Sequence, residues 1–138
     1  MNREALIAQI NAHEGLRLYP YQDVVGVWTI GYGHNLTARG ISQVVADRLL
    51  AEDIEATLTA LAGLPWYGGL SEIRQRVIAD MAFNLGIDGL RRFTTMIAAL
   101  VRKDYVAAAE AMLDSRWAIQ VGYRSARLSR MMRTDRED

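Results

Sequence analysis

Residues 16–34 read LRLYPYQDVVGVWTIGYGH, and this stretch decides the fold class. It is rich in β-branched and aromatic residues, which favour strands. Gly26, Gly31, Gly33 and Asp23 interrupt it at positions that indicate turns. The pattern predicts a small, twisted antiparallel sheet of one or two hairpins. Because a sheet of this size is not stable alone, we expect it to pack against helices.

Helical patterns flank this stretch on both sides. Residues 3–13 carry Leu6, Ile7 and Ile10 at helical spacing, and Gly15 is placed to end that helix. After the sheet, apolar residues recur at helical spacing in six further segments, at 42–61, 71–86, 93–101, 104–113, 115–120 and 123–133.

The order of these segments predicts an α+β fold. A small antiparallel sheet lobe at about 15–40 would be joined by the long helix at 42–61 to a larger helical lobe. That lobe would comprise residues 62–138 together with helix 3–13, and the 138 residues would form a single domain. Ligands usually bind in clefts between such lobes.

Composition limits the chemistry and the compartment. The chain has no cysteine, which excludes disulfides and thiolate metal sites, and its only histidines are His13 and His34. We therefore expect no metal and no cofactor. The charged N-terminus does not look like a secretory signal, and no apolar run reaches the roughly 18 residues of a membrane span. These features predict a protein held in the cytoplasm until it is released.

Charge is unevenly distributed although the formal net charge is zero. Residues 1–69 carry −3 and residues 70–138 carry +3, and residues 116–133 contain five arginines and no acid. Such a run can attract a polyanion, either nucleic acid or the carboxylate-rich bacterial wall. It is equally typical of a solvated helix face.

Glu14 is the most unusual carboxylate of the sequence. It follows Ile7 and Ile10 on the apolar stripe, at the C-terminal end of the first helix, where the helix dipole disfavours negative charge. Burial and the dipole would both raise its pKa, as a general acid requires. A buried glutamate paired with an arginine for structural reasons would show the same pattern.

Asp23 and Thr29 complete a candidate set with Glu14. Taken alone, Asp23 is typical of a turn, and Thr29 is an ordinary strand residue on the face opposite Trp28 and Ile30. Hydrolysis of a glycoside needs an acid and a second carboxylate, and a hydroxyl can help position water. Carboxyl groups about 6.5–9.5 Å apart would imply inversion, and groups about 5–5.5 Å apart would imply retention.

The ordered motifs resemble the phage-type lysozymes, the endolysins of glycoside hydrolase family 24. The resemblance includes the spacing of Glu14, Asp23 and Thr29 and extends over nearly the whole chain. Its motifs are HEGLRLY at 13–19, YQD at 21–23, GVWTIGYGH at 26–34, MAFNLG at 81–86, RFT at 92–94, SRW at 115–117 and YRSAR at 123–127.

The resemblance implies a lysozyme-like fold and a muramidase that cuts the β-1,4 bond between N-acetylmuramic acid and N-acetylglucosamine. Glu14 would then be the proton donor, and Asp23 and Thr29 would hold the attacking water. Arg124 matches the family arginine that pairs with the catalytic glutamate. Phe83 matches an aromatic residue that lines the cleft, although a plain core role is equally compatible with its position.

Substrate contacts are expected from Phe83 and its neighbour Asn84, and from Asn35, which replaces an apolar cleft residue of some members. Met96 and Ala111 replace polar residues that contact saccharide in some relatives. The resemblance further implies peptidoglycan glycan strands as the partner and a holin for release. We expect a monomer without stable membrane insertion and without nucleic acid.

Three other functions compete with an active muramidase. A wall-binding pseudoenzyme would not need Asp23 and Thr29, and a lytic transglycosylase would need only the acid. A nucleic-acid binder would have to use the arginine-rich C-terminal helix, but the chain has neither a recognisable motif nor a basic overall charge. The complete triad favours hydrolysis.

Overall fold

The computed structural model describes residues 1–138 and contains eight helices and three strands. The helices and the small antiparallel sheet confirm the α+β, lysozyme-like class. The elements, in chain order, are α1 (Arg3–Glu14), β1 (Arg17–Gln22), β2 (Trp28–Gly31), β3 (His34–Asn35), α2 (Leu36–Arg39), α3 (Gln43–Ala62), α4 (Glu72–Arg91), α5 (Thr94–Val101), α6 (Tyr105–Leu113), α7 (Arg116–Val121) and α8 (Tyr123–Thr134).

The chain divides into two compact units, Met1–Leu49 and Leu50–Asp138. The first unit contains α1, the sheet, α2 and the start of α3, and the second contains the rest of α3 and all later helices. The long helix expected at 42–61 is observed at Gln43–Ala62, and the Ser42 hydroxyl accepts a hydrogen bond from the Val45 N–H near its start.

The sheet of the first unit has the order β1-β2-β3, and both pairs of strands are antiparallel. Thr29 of the central strand pairs with Tyr21 on one side and with Asn35 on the other. The register of β1 and β2 is irregular between Arg17 and Tyr21, the segment that contains Pro20. Proline has no N–H to donate to the ladder, which accounts for an irregularity at this point.

One short helix, α2, was not predicted from the sequence. The Asn35 side chain caps it by accepting a hydrogen bond from the Ala38 N–H at 2.9 Å, and Gly40 ends it. Four residues are too few for a helical period to be recognised in the sequence.

The apolar core lies in the second unit, where α4, α6 and α8 supply most of the buried side chains. The side chains of Ser71 and Asp104 cap α4 and α6, as expected of serine and aspartate at the start of a helix. Gly86 has φ 76° and interrupts α4, so the helical pattern predicted at 71–86 ends at a break within an element that continues to Arg91.

The first unit differs from expectation in its burial, because no residue of α1 is buried. Leu6, Ile7 and Ile10 were expected to point toward a core, yet their side chains are 38%, 52% and 42% exposed. A unit of 49 residues with a three-stranded sheet has too little chain to enclose a core of its own.

Candidate active site

Glu14 is the last residue of α1, and its carboxylate lies against Gly33 in the turn between β2 and β3. A Cβ atom built on Gly33 would come within 2.7 Å of Glu14 Oε2 and 3.0 Å of its Cδ. Gly33 also has φ 74°, a conformation that favours glycine. Gly15, with φ 70°, ends α1 immediately after Glu14 and turns the chain into β1. Two glycines therefore place the carboxylate at the edge of the sheet.

The expected burial of Glu14 is wrong. Its side chain is exposed, like the rest of α1. The carboxylate faces Gly33 at a surface turn, and glycine has no side chain that could cover it.

Asp23 follows β1 in the tight loop that leads to β2. Its Oδ1 accepts hydrogen bonds from the N–H groups of Val25 and Val27, both at 2.9 Å, and its own N–H donates to the Val27 carbonyl. Asp23 thus fills the turn role that its sequence suggests. The other carboxylate oxygen, Oδ2, takes no part in these bonds, so this role leaves one oxygen available to a ligand.

Thr29 lies in the central strand, and its side chain is only 6% exposed, whereas that of Trp28 is 48% exposed. The alternation predicted for this strand is therefore confirmed for this pair. The Thr29 hydroxyl donates to the Val27 carbonyl at 2.9 Å. Because the hydroxyl proton is used, the oxygen can act toward a water only as an acceptor.

The first unit contains Glu14, Asp23 and Thr29 together with Asn35. Val27 links two of them, since its N–H is bound by Asp23 and its carbonyl accepts from Thr29. Asn35 is the cross-strand neighbour of Thr29, but its side-chain oxygen is already used to cap α2.

Arg124 belongs to the second unit, and within that unit it pairs with Asp80. Its Nε and Nη2 lie 2.7 and 2.5 Å from Asp80 Oδ1, and Nη2 also donates to the Asp80 carbonyl oxygen at 3.3 Å. This partner was not predicted, and no spacing in the sequence indicates a bond between α4 and α8. The pairing of Arg124 with Glu14 stays a prediction.

Phe83 and Asn84 are neighbours on α4 with different surroundings. Phe83 is 42% exposed, although Ile78 and Met81 on the same helix are fully buried, so it is not a plain core residue. It lines a groove of about 410 Å³ together with Asp53 and other residues of α3 and α4. Asn84 is exposed, but its Oδ1 accepts a hydrogen bond from the Trp117 indole N–H at 2.9 Å.

Four of the five arginines in the run at 116–133 lie near acids of the same unit. Besides the Arg124 pair, Arg127 and Arg130 lie 4.0 and 2.5 Å from Asp138, and Arg133 lies 3.7 Å from Glu110. The acids come from α4, α6 and the C-terminal segment, which is why the run looks unpaired in the sequence. This pairing is typical of a solvated helix surface.

No group of three metal-ligating side chains is found in the structure, and none of its helices combines the length and the hydropathy needed to cross a bilayer.

Comparisons with known proteins agree with the fold and with the motifs. The family model described as Phage lysozyme matches residues 11–137, a range that includes Glu14, Asp23, Thr29 and Arg124. The chain is 37% identical over 102 residues to the endolysin of Acyrthosiphon pisum secondary endosymbiont phage 1, covering 72% of this chain and 68% of that protein. It is 31% identical over 118 residues to the endolysin of Salmonella phage P22, covering 78% and 77%.

A more distant relative is a much larger protein, the pre-baseplate central spike protein Gp5 of Enterobacteria phage T4. The identity is 24% over an alignment 159 residues long, gaps included, which spans 94% of this chain but only 28% of the spike protein. Since the family model covers most of the chain, the chain belongs to the phage lysozyme family and is a glycoside hydrolase of the lysozyme type.

Proposed function

We propose that the protein is an endolysin that hydrolyses the β-1,4 bond between N-acetylmuramic acid and N-acetylglucosamine in peptidoglycan. The observation that carries the proposal is the close approach of the Glu14 carboxylate to Gly33. In the same unit, Asp23 and Thr29 both form hydrogen bonds with the backbone of Val27. An acid, a second carboxylate and a hydroxyl are the groups that this reaction needs.

In the proposed reaction Glu14 gives its proton to the glycosidic oxygen as the bond to the sugar carbon breaks. A water molecule attacks that carbon, and Asp23 takes the proton that the water loses. Asp23 can act in this way while it stays in its turn, because Oδ1 holds the loop and Oδ2 remains available. Thr29 orients the water by accepting a hydrogen bond from it, since its own proton is directed to Val27.

Phe83 and Arg124 are proposed to act from the second unit. The exposed face of Phe83 in its groove is suited to packing on a sugar ring. Arg124 is proposed to pair with the Glu14 carboxylate once its proton has been given up, and the bond to Asp80 would orient the guanidinium. Asn35 and Asn84 would contribute through their amide N–H₂ groups, because their side-chain oxygens already accept hydrogen bonds.

The test is the clearing of permeabilised bacteria and of purified peptidoglycan by the parent protein and by Glu14→Gln. We expect Glu14→Gln to lose clearing and to keep the circular dichroism spectrum and the unfolding midpoint of the parent. A matched control is Glu4→Gln, at the opposite end of α1, which should clear like the parent. Lysis by folded Glu14→Gln would refute the assignment of the acid.

Mass spectrometry of the released fragments separates hydrolysis from transglycosylation. A hydrolase adds water and leaves a reducing end, whereas a lytic transglycosylase leaves an anhydro end on the muramic acid. We expect reducing ends only. A parent protein that binds sacculi and releases no fragment would instead be a wall-binding pseudoenzyme.

We further propose that the protein acts in host-cell lysis as a monomer, after release from the bacterial cytoplasm through a membrane opened by a separate holin. Expression of the chain alone should leave cells intact, and lysis should follow when the membrane is permeabilised. Lysis by the chain alone, without permeabilisation, would contradict the dependence on a holin.

A further inference from the structure

Lys103 is the only lysine of the chain, and it holds a left-handed backbone conformation with φ 62°. It lies just after α5, where its N–H donates to the Leu100 carbonyl and the Asp104 N–H donates to the Ala99 carbonyl. Helix ends closed by such paired bonds usually have glycine at the left-handed position, because a Cβ atom there costs free energy. An outlier of this kind is a reason to look for a function.

Lys103 is one of the residues that line a pocket in the second unit. The pocket has a volume of about 370 Å³, and its main walls are Pro65, Trp66, Leu70, Leu100 and Tyr105. This volume lies within the roughly 300–1,000 Å³ of small-molecule sites, which combine apolar walls with a few polar groups.

Lys103 is the only charged residue among those that line the pocket. It forms no ion pair, whereas its neighbours Arg102 and Asp104 pair with each other at 3.7 Å. An unpaired ammonium group beside apolar and aromatic walls is complementary to a ligand with one apolar face and one carboxylate.

The two aromatic walls are held differently. The Arg74 guanidinium covers the ring of Tyr105 at 3.7 Å and is itself paired with Asp135. Trp66 meets the ring of Tyr67 edge to face at 6.5 Å. An edge-to-face contact occupies less ring surface than a stacked one, and Trp66 is therefore the better platform for the apolar face of a sugar.

We propose that this pocket, which shares no lining residue with the Phe83 groove, is a second binding site for the wall polymer. Trp66 packs on an N-acetylmuramyl ring, and the Lys103 ammonium group binds a carboxylate of the peptide attached to it. The identity of the polymer rests on the proposed function. A second site would keep the enzyme on an insoluble substrate between cleavage events.

The experiment measures binding of N-acetylmuramyl dipeptide, which contains no glycosidic bond to cleave, and of chitotetraose, which carries no carboxylate. Binding is followed by NMR through the indole N–H of Trp66, assigned with the Trp66→Phe variant. The proteins compared are the parent, Lys103→Gln, Lys103→Arg, Lys103→Gly and Glu14→Gln.

We expect the dipeptide to shift the Trp66 signal in the parent, in Lys103→Arg and in Glu14→Gln. Lys103→Gln should weaken the affinity about tenfold, the usual effect of losing one charge-assisted hydrogen bond. Lys103→Gly should lose affinity to the same extent and unfold at a higher temperature, because glycine relieves the left-handed strain. Chitotetraose should bind the parent and Lys103→Gln equally at this site.

Equal affinity of the parent and Lys103→Gln for the dipeptide would overturn the proposal. So would saturable binding of a short fatty acid at Trp66 in the absence of dipeptide binding. Neither result depends on Glu14, so failure of this site and failure of the proposed catalytic function would be told apart by the clearing assay.

Discussion

The carboxylate of Glu14 and the α-carbon of Gly33 are so close that no side chain fits between them. A Cβ atom at residue 33 would lie 2.7 Å from Glu14 Oε2. The atom that must move is the end of a flexible side chain, so Gly33→Ala should fold with the carboxylate displaced. Displacing a catalytic group by about 1 Å can cost roughly a hundredfold in rate, and we expect a loss of that order in clearing activity.

Gly31→Ala is the matched control for Gly33→Ala. Gly31 has a similar φ of 70°, but nothing lies within 4 Å of a Cβ atom built on it. Both variants should lose about 1 kcal/mol of unfolding free energy through backbone strain, measured by denaturant unfolding. If both variants lose activity equally, strain rather than contact with Glu14 is responsible.

Two substitutions of Asp23 separate its turn role from its charge. The side-chain oxygen introduced by Asp23→Asn can still accept the hydrogen bonds of Val25 and Val27, whereas alanine has no such oxygen. We therefore expect Asp23→Asn to unfold close to the parent and Asp23→Ala to lose about 1–3 kcal/mol of unfolding free energy. Both should lose most clearing activity, because neither carries the carboxylate. A fully active Asp23→Asn variant would show that Asp23 has only a structural role.

Thr29 is tested by the pair Thr29→Ser and Thr29→Val. Serine keeps the hydroxyl that bonds to Val27, and we expect it to retain most activity. Valine fills the buried space without the oxygen, and the Val27 carbonyl keeps the Asp23 N–H as a partner. Thr29→Val should therefore remain folded and lose about tenfold or more in initial clearing rate. Similar rates for the two variants would show that the Thr29 hydroxyl has no role in the reaction.

The sequence predicts the fold well where local chemistry decides the structure. Capping by Ser71 and Asp104, the stop at Gly15 and the break at Gly86 all follow from residue type. The four-residue helix α2 could not be predicted in this way, because its formation depends on one side-chain bond from Asn35.

The sequence proposes the members of the candidate site but does not reveal their contacts. The spacing of Glu14, Asp23 and Thr29 identified the residues through a resemblance. The environment expected for Glu14 was wrong, because a stripe of apolar residues does not reveal whether a small lobe can enclose them. Contacts between residues that are distant in the chain, such as that of Arg124 with Asp80, produce no periodic pattern in the sequence.

We expect the ion pair of Arg124 with Asp80 to contribute only modestly to the free energy of unfolding. The two side chains are 39% and 41% exposed, and solvent therefore screens much of the attraction. A double-mutant cycle with Arg124→Gln and Asp80→Asn should give a coupling free energy of unfolding of up to about 1 kcal/mol. If Asp80 orients Arg124 for catalysis, Asp80→Asn should also lower the clearing rate in the parent but not in Arg124→Gln.

Ionisation of the Tyr67 hydroxyl should lower the free energy of unfolding at alkaline pH. Burial raises the pKa of its hydroxyl above the ordinary value of 10.0, and the hydroxyl donates to the Gln75 carbonyl at 3.2 Å. The folded state therefore keeps a proton that the unfolded chain loses. The stabilisation is complete below pH 10.0 and disappears as the pH rises through the folded pKa. Relative to Tyr67→Phe, which has no group to ionise, the parent should lose unfolding free energy as the pH rises above about 10. Denaturant unfolding at each pH measures this difference, and parallel pH profiles of the two proteins would contradict it.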